Sequence, residues 1–386
     1  MSFERSQPGG VPARFVALDG FRGILALCVA IYHTYWLSTI NDTAFFNNGP
    51  VLIDLFFVFS GFLMFTLYGE QMRTGADAKM FLKRRIARLY PVHLAMTLVL
   101  MLYAIARLYA QKMGFGTIEV GEILPFSAGA PETVGSLISN LTLTQSLGVH
   151  DSLTYNVPAW TISVEAAAYL VFVTMCLLAP PKRAIHFLLI AIGVAAIYAG
   201  LAAVKPNMDI TYDLGFWRCL AGFYVGILCA WMRPWVSRTF ATISKSSATW
   251  IEVATALGFA AFVIWLPGKG QFLVGLFALI FVGVFAQDRG AVSDLLGHRI
   301  FKYLAKISYS VYMVHFIIAL VFGVVANQIL PESVMSSAWA GDALIALYVG
   351  VVIVGGHLLH ILVEVPGARW MKARLRVRAR AGLQAA

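Results

Sequence analysis

The sequence predicts an all-α, polytopic integral membrane protein of about ten transmembrane helices with N- and C-termini cytoplasmic. Three observations predict it. The first is composition. The 386 residues are 60% hydrophobic and 12% charged, with a mean hydropathy of +0.78, and a soluble domain carries about twice that charged fraction. The second is recurrence. Apolar runs near the spanning length of about 20 residues fall at 17–39, 50–69, 91–112, 158–179, 184–204, 214–232, 249–266, 270–287, 308–328 and 340–364. The third is charge. With the N-terminus inside and the loops alternating, 24 of the 29 Lys and Arg residues lie on the cytoplasmic side, where membrane proteins accumulate them. One span more or fewer would invert every later loop and destroy that bias, so an even number of spans is expected.

The first run follows a mostly polar arm, contains Arg22 and His33, and lacks a small-residue cleavage site. It reads as a retained span rather than a signal peptide. A short turn at Pro267–Gly268 separates the seventh and eighth runs. Residues 113–157 form the longest outer loop, with Glu119, Glu122, Glu132 and Asp151. Its stretch Leu137–Leu147 is too polar to span, and is expected to lie on the surface or to fold back over a cavity. The tail Lys372, Arg374, Arg376, Arg378 and Arg380 reads as a positive-inside stop signal, with an anionic-lipid clamp as the alternative. The formal charge of +10 follows from this topology and needs no nucleic acid. Cys28, Cys176, Cys219 and Cys229 lie in or beside apolar runs, which favours small buried hydrophobes over disulfides or zinc ligands. Neither a Gly-rich phosphate loop nor metal-ligand spacing is found. No internal repeat is visible either.

Ionisable residues inside spans are costly and mark function by default. Arg22 and His33 are eleven residues apart, close to three helical turns, so they share a face about 16 Å apart along the axis. A guanidinium can grip phosphate oxygens bidentately. An imidazole can take a proton from a hydroxyl near neutral pH. The plainer alternatives are an interfacial Arg with a snorkelling head and an interhelical hydrogen bond. Asp54 either orients His33 through its other ring nitrogen or complements its own helix dipole. Arg85 and Arg88 share a face on the cytoplasmic side, where an anionic metabolite would arrive; ordinary inside charge is the alternative. Glu165 lies about five residues into a span entered from outside, roughly 10 Å deep, and needs a partner or neutralisation. Trp160 reads as an interface anchor. Ser308, Tyr309 and His315 either line the cytoplasmic half of a cavity or pair with neighbouring helices. His357 and His360 have no adjacent ligand to support a metal.

Five segments together resemble the acyltransferase 3 family of membrane acyltransferases, over nearly the whole chain. They are Arg22-x10-His33, Asp54-Leu-Phe-Phe-Val-Phe-Ser-Gly-Phe, Arg85-x-x-Arg88 before Leu-Tyr-Pro, Trp160-Thr-Ile-Ser-Val-Glu165, and Ile307-Ser-Tyr-Ser-Val-Tyr-x-Val-His315. The resemblance implies a ten-helix acyltransferase domain, here residues 1–368, followed by a basic cytoplasmic tail, 369–386. It implies an O-acyltransferase in the bacterial inner membrane. Such an enzyme moves an acyl group, usually acetyl, from cytosolic acyl-CoA to a hydroxyl of a cell-envelope or secreted glycan. The expected partners are acyl-CoA (acetyl-CoA) as co-substrate, a hydroxyl acceptor and the bilayer, with no metal and no nucleic acid. By the same resemblance His33 is the catalytic histidine, Arg22 its motif partner, and Arg85 and Arg88 the second motif.

Joined to the residue reading, this makes His33, Glu165 and Asp54 the candidate catalytic residues. Arg22, Arg85, Arg88, Ser308, Tyr309 and His315 are the candidate donor-binding residues. Some relatives continue into a periplasmic hydrolase-like domain, whereas a basic tail is expected here. The run Ala166-Ala167-Ala168-Tyr169 is smaller than the aromatic-rich version of the family. The competing reading is a transporter or exporter of a polyprenol-linked glycan or small anionic metabolite, using the same charges as a relay or gate. A third is a scaffold subunit of an envelope assembly.

Overall fold

The computed structural model describes residues 15–113, 125–127 and 129–376. Glu119, Glu122, Arg378 and Arg380 of the sequence reading lie outside the described residues. Among these, every regular element is helical. The ten long apolar helices are α1 (Val16–Tyr32), α2 (Leu52–Tyr68), α3 (Gly75–Lys112), α4 (Trp160–Leu178) and α5 (Ala184–Val204), then α6 (Gly215–Thr242), α7 (Lys245–Trp265), α8 (Val274–Phe285), α9 (Arg299–Ile329) and α10 (Ala338–Leu359). Nine helical stretches among the described residues are long and apolar enough to cross a membrane. The helix α1, with 17 residues, sits at the lower limit of about 17.

Two boundaries depart from the apolar runs. The first run extends to residue 39, but α1 stops at Tyr32. The Thr34 hydroxyl donates to the Ile31 carbonyl at 2.8 Å, capping a group that another helical turn would have used. The chain beyond is then tied down, with Asn41 Nδ2 donating to the Thr34 carbonyl at 3.0 Å. Ser38 Oγ donates to Asp342 at 2.7 Å, and Thr39 also donates to that carboxylate. In the other direction, α3 begins at Gly75, well ahead of its apolar run. A capping box at Thr74 and Asp77 nucleates it, and the basic residues that follow form its water-side turns.

Contacts group the helix ends. At one end the amides of Val16 and Ala17 donate to the Asp288 carboxylate at 3.0 and 2.8 Å, Arg233 lies over the Phe15 ring at 5.0 Å, and Lys83 donates to the Leu375 carbonyl at 2.7 Å. At the other end Asn48 donates to the Val263 carbonyl at 2.9 Å and accepts from Gln271 at 2.8 Å.

The tightest helix contact is α2 on α6. A Cβ at Gly61 would lie 1.8 Å from the Phe223 carbonyl oxygen, and one at Gly226 would lie 2.1 Å from that of Val58. Only glycine lets two backbones approach that closely. The outer segment is tied to two helices of the bundle and lines no part of the arginine cavity described below. The helix Val134–Leu141 is pinned to α3 by Tyr90, whose hydroxyl donates to the Leu141 carbonyl at 2.9 Å. The following turn meets α4 through Ser163, which donates to the Leu143 carbonyl at 2.9 Å.

Candidate functional site

Five helices enclose a cavity of about 100 Å³. Its polar lining is Arg22 from α1, Ser60 from α2, Arg85 and Arg88 from α3, Thr161, Glu165 and Tyr169 from α4, and Ser308, Tyr309 and Tyr312 from α9. Helical periodicity places these groups. Arg85 and Arg88 are one turn apart on α3, and so are Glu165 and Tyr169 on α4. Of the residues singled out from sequence, the structure brings Arg22, Arg85, Arg88, Ser308, Tyr309 and Glu165 to this one cavity.

Within it, Glu165 Oε1 accepts from Ser60 Oγ at 2.5 Å and from Tyr169 at 2.6 Å, which gives a half-buried carboxylate the donors it needs. Tyr309 donates to the Leu89 carbonyl at 2.6 Å, and Ser308 to that of Ala305 at 2.9 Å. Three guanidiniums and the Glu165 carboxylate thus line one cavity, with Asp19 3.9 Å from Arg22 at its edge and Glu364 acting on Arg88. Arg22 and Arg85 both act electrostatically on Arg88. Arg85 is buried with its guanidinium 5.7 Å from the Tyr68 ring and 5.9 Å from the Phe81 ring. Its Nε has no hydrogen-bond partner among the described residues. Like charges gathered in a low-dielectric pocket with a free donor favour an anionic guest.

His33 does not line the cavity. It caps α1, and its Nδ1 lies 2.9 Å from the Val29 carbonyl and 3.3 Å from His315 Nε2. A carbonyl can only accept, so the Val29 contact assigns the proton to Nδ1 and leaves the lone pair on Nε2. His315 is fully buried. Of its two expected placements, cavity lining or pairing with a neighbouring helix, the structure shows the second: it stands beside His33 of α1 and does not line the cavity. The exposed Asp209 carboxylate, in the loop between α5 and α6, also acts electrostatically on His33.

The Asp54 and Glu165 carboxylates both make their hydrogen bonds away from His33. Glu165 holds Ser60 and Tyr169. Asp54 stands opposite Arg218, which donates from Nη2 to Oδ2 at 2.7 Å and from Nε to Oδ1 at 3.3 Å. Both side chains are fully buried. Arg218 also donates to the carbonyls of Pro50 at 2.5 Å and Ile210 at 3.1 Å, and lies over the Trp160 ring at 5.3 Å. Trp160 is thus a buried packing partner at 4% exposure, correcting its reading as an interface anchor. The demands of an intramembrane cation explain both placements, because Arg218 needs a counter-charge and acceptors that only α2 and the adjoining loops supply.

Sequence reasoning passed over Ser60, Tyr169 and Arg218. The signals were present. Tyr169 is i+4 from Glu165, Ser60 is a hydroxyl inside an apolar run, and Arg218 is a second intramembrane charge available to Asp54. Just past α10, Glu364 contacts His360 at 2.9 Å and accepts from Ser310 of α9 at 2.5 Å. Among the described residues no group of three or more His, Cys, Asp and Glu side chains could hold a metal ion.

Comparison with known proteins identifies the family. A family model for an acyltransferase domain, acyltransferase 3, matches residues 15–359. The chain is similar to the acyltransferase MdmB of Streptomyces mycarofaciens, with 25% identity over 394 residues covering 94% of this chain and 93% of that protein. It is similar to the O-acetyltransferase OatA of Staphylococcus aureus, with 22% identity over 338 residues covering 81% of this chain and 52% of that protein. It also resembles protein 2 in the picA locus of Rhizobium radiobacter, 38% identical over 87 residues, 21% of this chain and 41% of that one. The chain thus matches only about half of the staphylococcal relative and less than half of the Rhizobium protein. No solved structure matches it. With five cavity-forming helices inside the matched region, the chain belongs to the acyltransferase 3 family of membrane acyltransferases.

Proposed function

We propose that the protein is an O-acyltransferase of the bacterial inner membrane. It transfers an acyl group, acetyl in the usual case, from cytosolic acyl-CoA to a hydroxyl of a cell-envelope or secreted glycan. The observation that carries this reading is the convergence of Arg22, Arg85 and Arg88 on one cavity, with His33 at the far end of the same helix as Arg22. Three guanidiniums suit the phosphates of CoA. The pantetheine arm then runs along α1 towards His33, which lies about 16 Å beyond Arg22.

In this mechanism His33 is the general base. Its Nε2 lone pair takes the proton of the acceptor hydroxyl as that oxygen attacks the thioester carbonyl. The C–O bond forms, the C–S bond breaks, and the imidazolium returns the proton to the departing CoA thiolate. The Val29 carbonyl and His315 hold the Nδ1 side of the ring, the part a carboxylate plays in other catalytic imidazoles. Glu165, with Ser60 and Tyr169, shapes the upper cavity wall. Asp54 acts through Arg218 as a positioning residue.

The test is mass spectrometry of envelope glycans and secreted polymers from cells carrying the wild-type gene, the His33→Ala variant or no gene. The expected result is one acyl mass present only with the wild-type gene. An unchanged glycan mass in all three, together with intact substrate crossing sealed vesicles, would replace the enzyme reading with transport.

A further inference from the structure

One aromatic ring, Tyr312, both lines the arginine cavity and neighbours the imidazole pair. Phe56 and Tyr312 line the cavity, and neither His33 nor His315 does. Tyr312 stands one turn before His315 on α9, with its ring 5.7 Å from that imidazole. The Phe56 ring lies 5.9 Å from the Tyr312 ring, tilted by 54°. A carbon atom touching a ring face sits about 3.5–4.0 Å from it, so a methylene held between two rings needs centroids roughly 7–8 Å apart. At 5.9 Å the pair is closed even to a methyl group.

The two rings differ in freedom. The Tyr312 hydroxyl donates to the Pro158 carbonyl at 3.1 Å and accepts from Thr161 Oγ1 at 3.2 Å. Both partners belong to the entry of α4, so this ring is held at its tip and is buried. Phe56 has no polar atom to anchor it and is half-buried. A group that leaves the cavity between these two rings has to displace Phe56 and pack against a stationary Tyr312.

We propose that Phe56 and Tyr312 form the acyl-length selector of the enzyme. The acyl end of the thioester opens the pair by turning Phe56 aside. Every further methylene must then be housed against the fixed ring, which favours short chains. When the site holds no donor, the closed rings keep the cavity apart from the imidazole. This rests on the acyl-CoA reading above and adds to it the residues that choose the donor.

The experiment measures binding of CoA, acetyl-CoA, butyryl-CoA and octanoyl-CoA to the full-length protein in lipid nanodiscs. CoA, which has no acyl group, is the reference for folding and for the arginine site. In the wild type, octanoyl-CoA should bind more weakly than acetyl-CoA by about tenfold or more, the discrimination a few methylenes can produce in a fitted pocket. Phe56→Ala should abolish most of that preference, and Phe56→Trp should extend it to butyryl-CoA, with CoA binding retained in both. Tyr312→Phe keeps the ring but frees its tip, and should loosen selection less than Phe56→Ala does. Chain-length ratios that stay unchanged in Phe56→Ala and Phe56→Trp, with CoA still bound, would overturn the selector and leave the donor assignment standing. Failure of the wild type to bind CoA and every acyl-CoA would overturn the donor assignment and the selector together.

Discussion

His33 closes α1 instead of riding on its middle, and that placement gives its ring a defined tautomer. Replacing it with Ala should abolish acyl transfer while leaving the membrane yield and thermal stability near wild type. Mass spectrometry of the acyl product beside a solubilised-protein melting curve checks both. Arg85→Lys keeps the charge but loses the fork and the orphan Nε. It should weaken CoA binding by about tenfold, because a bidentate site is not conserved by a point charge. The pair Asp54–Arg218 behaves differently, since both partners are fully buried. Asp54→Asn leaves Arg218 an uncompensated charge, and should cost about 3–5 kcal/mol. The double variant Asp54→Leu with Arg218→Met should recover most of that loss. Unfolding of the three proteins in detergent decides the point. A double variant no more stable than Asp54→Asn would overturn the expected recovery.

Among the elements, α2 carries the most demands. Asp54 in its first turn holds Arg218, Phe56 and Ser60 line the cavity, and Gly61 permits its contact with α6. Gly61→Ala places a methyl group inside the Phe223 backbone, and should destabilise by at least about 1–3 kcal/mol, the usual scale of overpacking. Gly283 on α8 meets nothing within 4 Å of an added Cβ, so Gly283→Ala should be neutral in the same melting assay. The loop joining α5 to α6 is closed by an ion pair between Lys205 and Asp213. Burial alone would raise the Asp213 carboxyl, but the Lys205 ammonium and backbone amides outweigh it and hold it below the usual carboxylate range. A lowered carboxyl stabilises above the ordinary value of about 3.9, and that contribution is lost as pH falls through the lowered one. The wild type should therefore lose slightly more stability between about pH 5 and pH 3 than Asp213→Asn does. The difference should stay below about 1 kcal/mol for a partly exposed pair.

For the whole molecule, the basic loops and the described chain ends gather at one end of the bundle. By the positive-inside bias, that end should face the cytoplasm. Of the native cysteines, Cys176, Cys219 and Cys229 are buried and Cys28 partly so, so introduced cysteines can report sidedness. Asn207→Cys, near the opposite end, should react with an impermeant thiol reagent in intact cells. Ser244→Cys, between α6 and α7, should react only after permeabilisation, and the reverse pattern would invert the topology.

The spans were legible in the chain because hydrophobic length is a local property, and α4 and α5 follow their apolar runs almost residue for residue. The joint face of Arg85 and Arg88 was legible for the same reason, since one helix carries both. The end of α1 was not, because it depends on Thr34 and on Asp342, far away in the chain. The partners of the buried charges were not legible either. Ser60 meets Glu165 across 105 residues, and Asp54 meets Arg218 across 164. A sequence states which charges must find partners inside a membrane, since leaving them bare is too costly. Only the packing of one helix against another decides which partner each one takes, and so which of them is left free to meet a substrate.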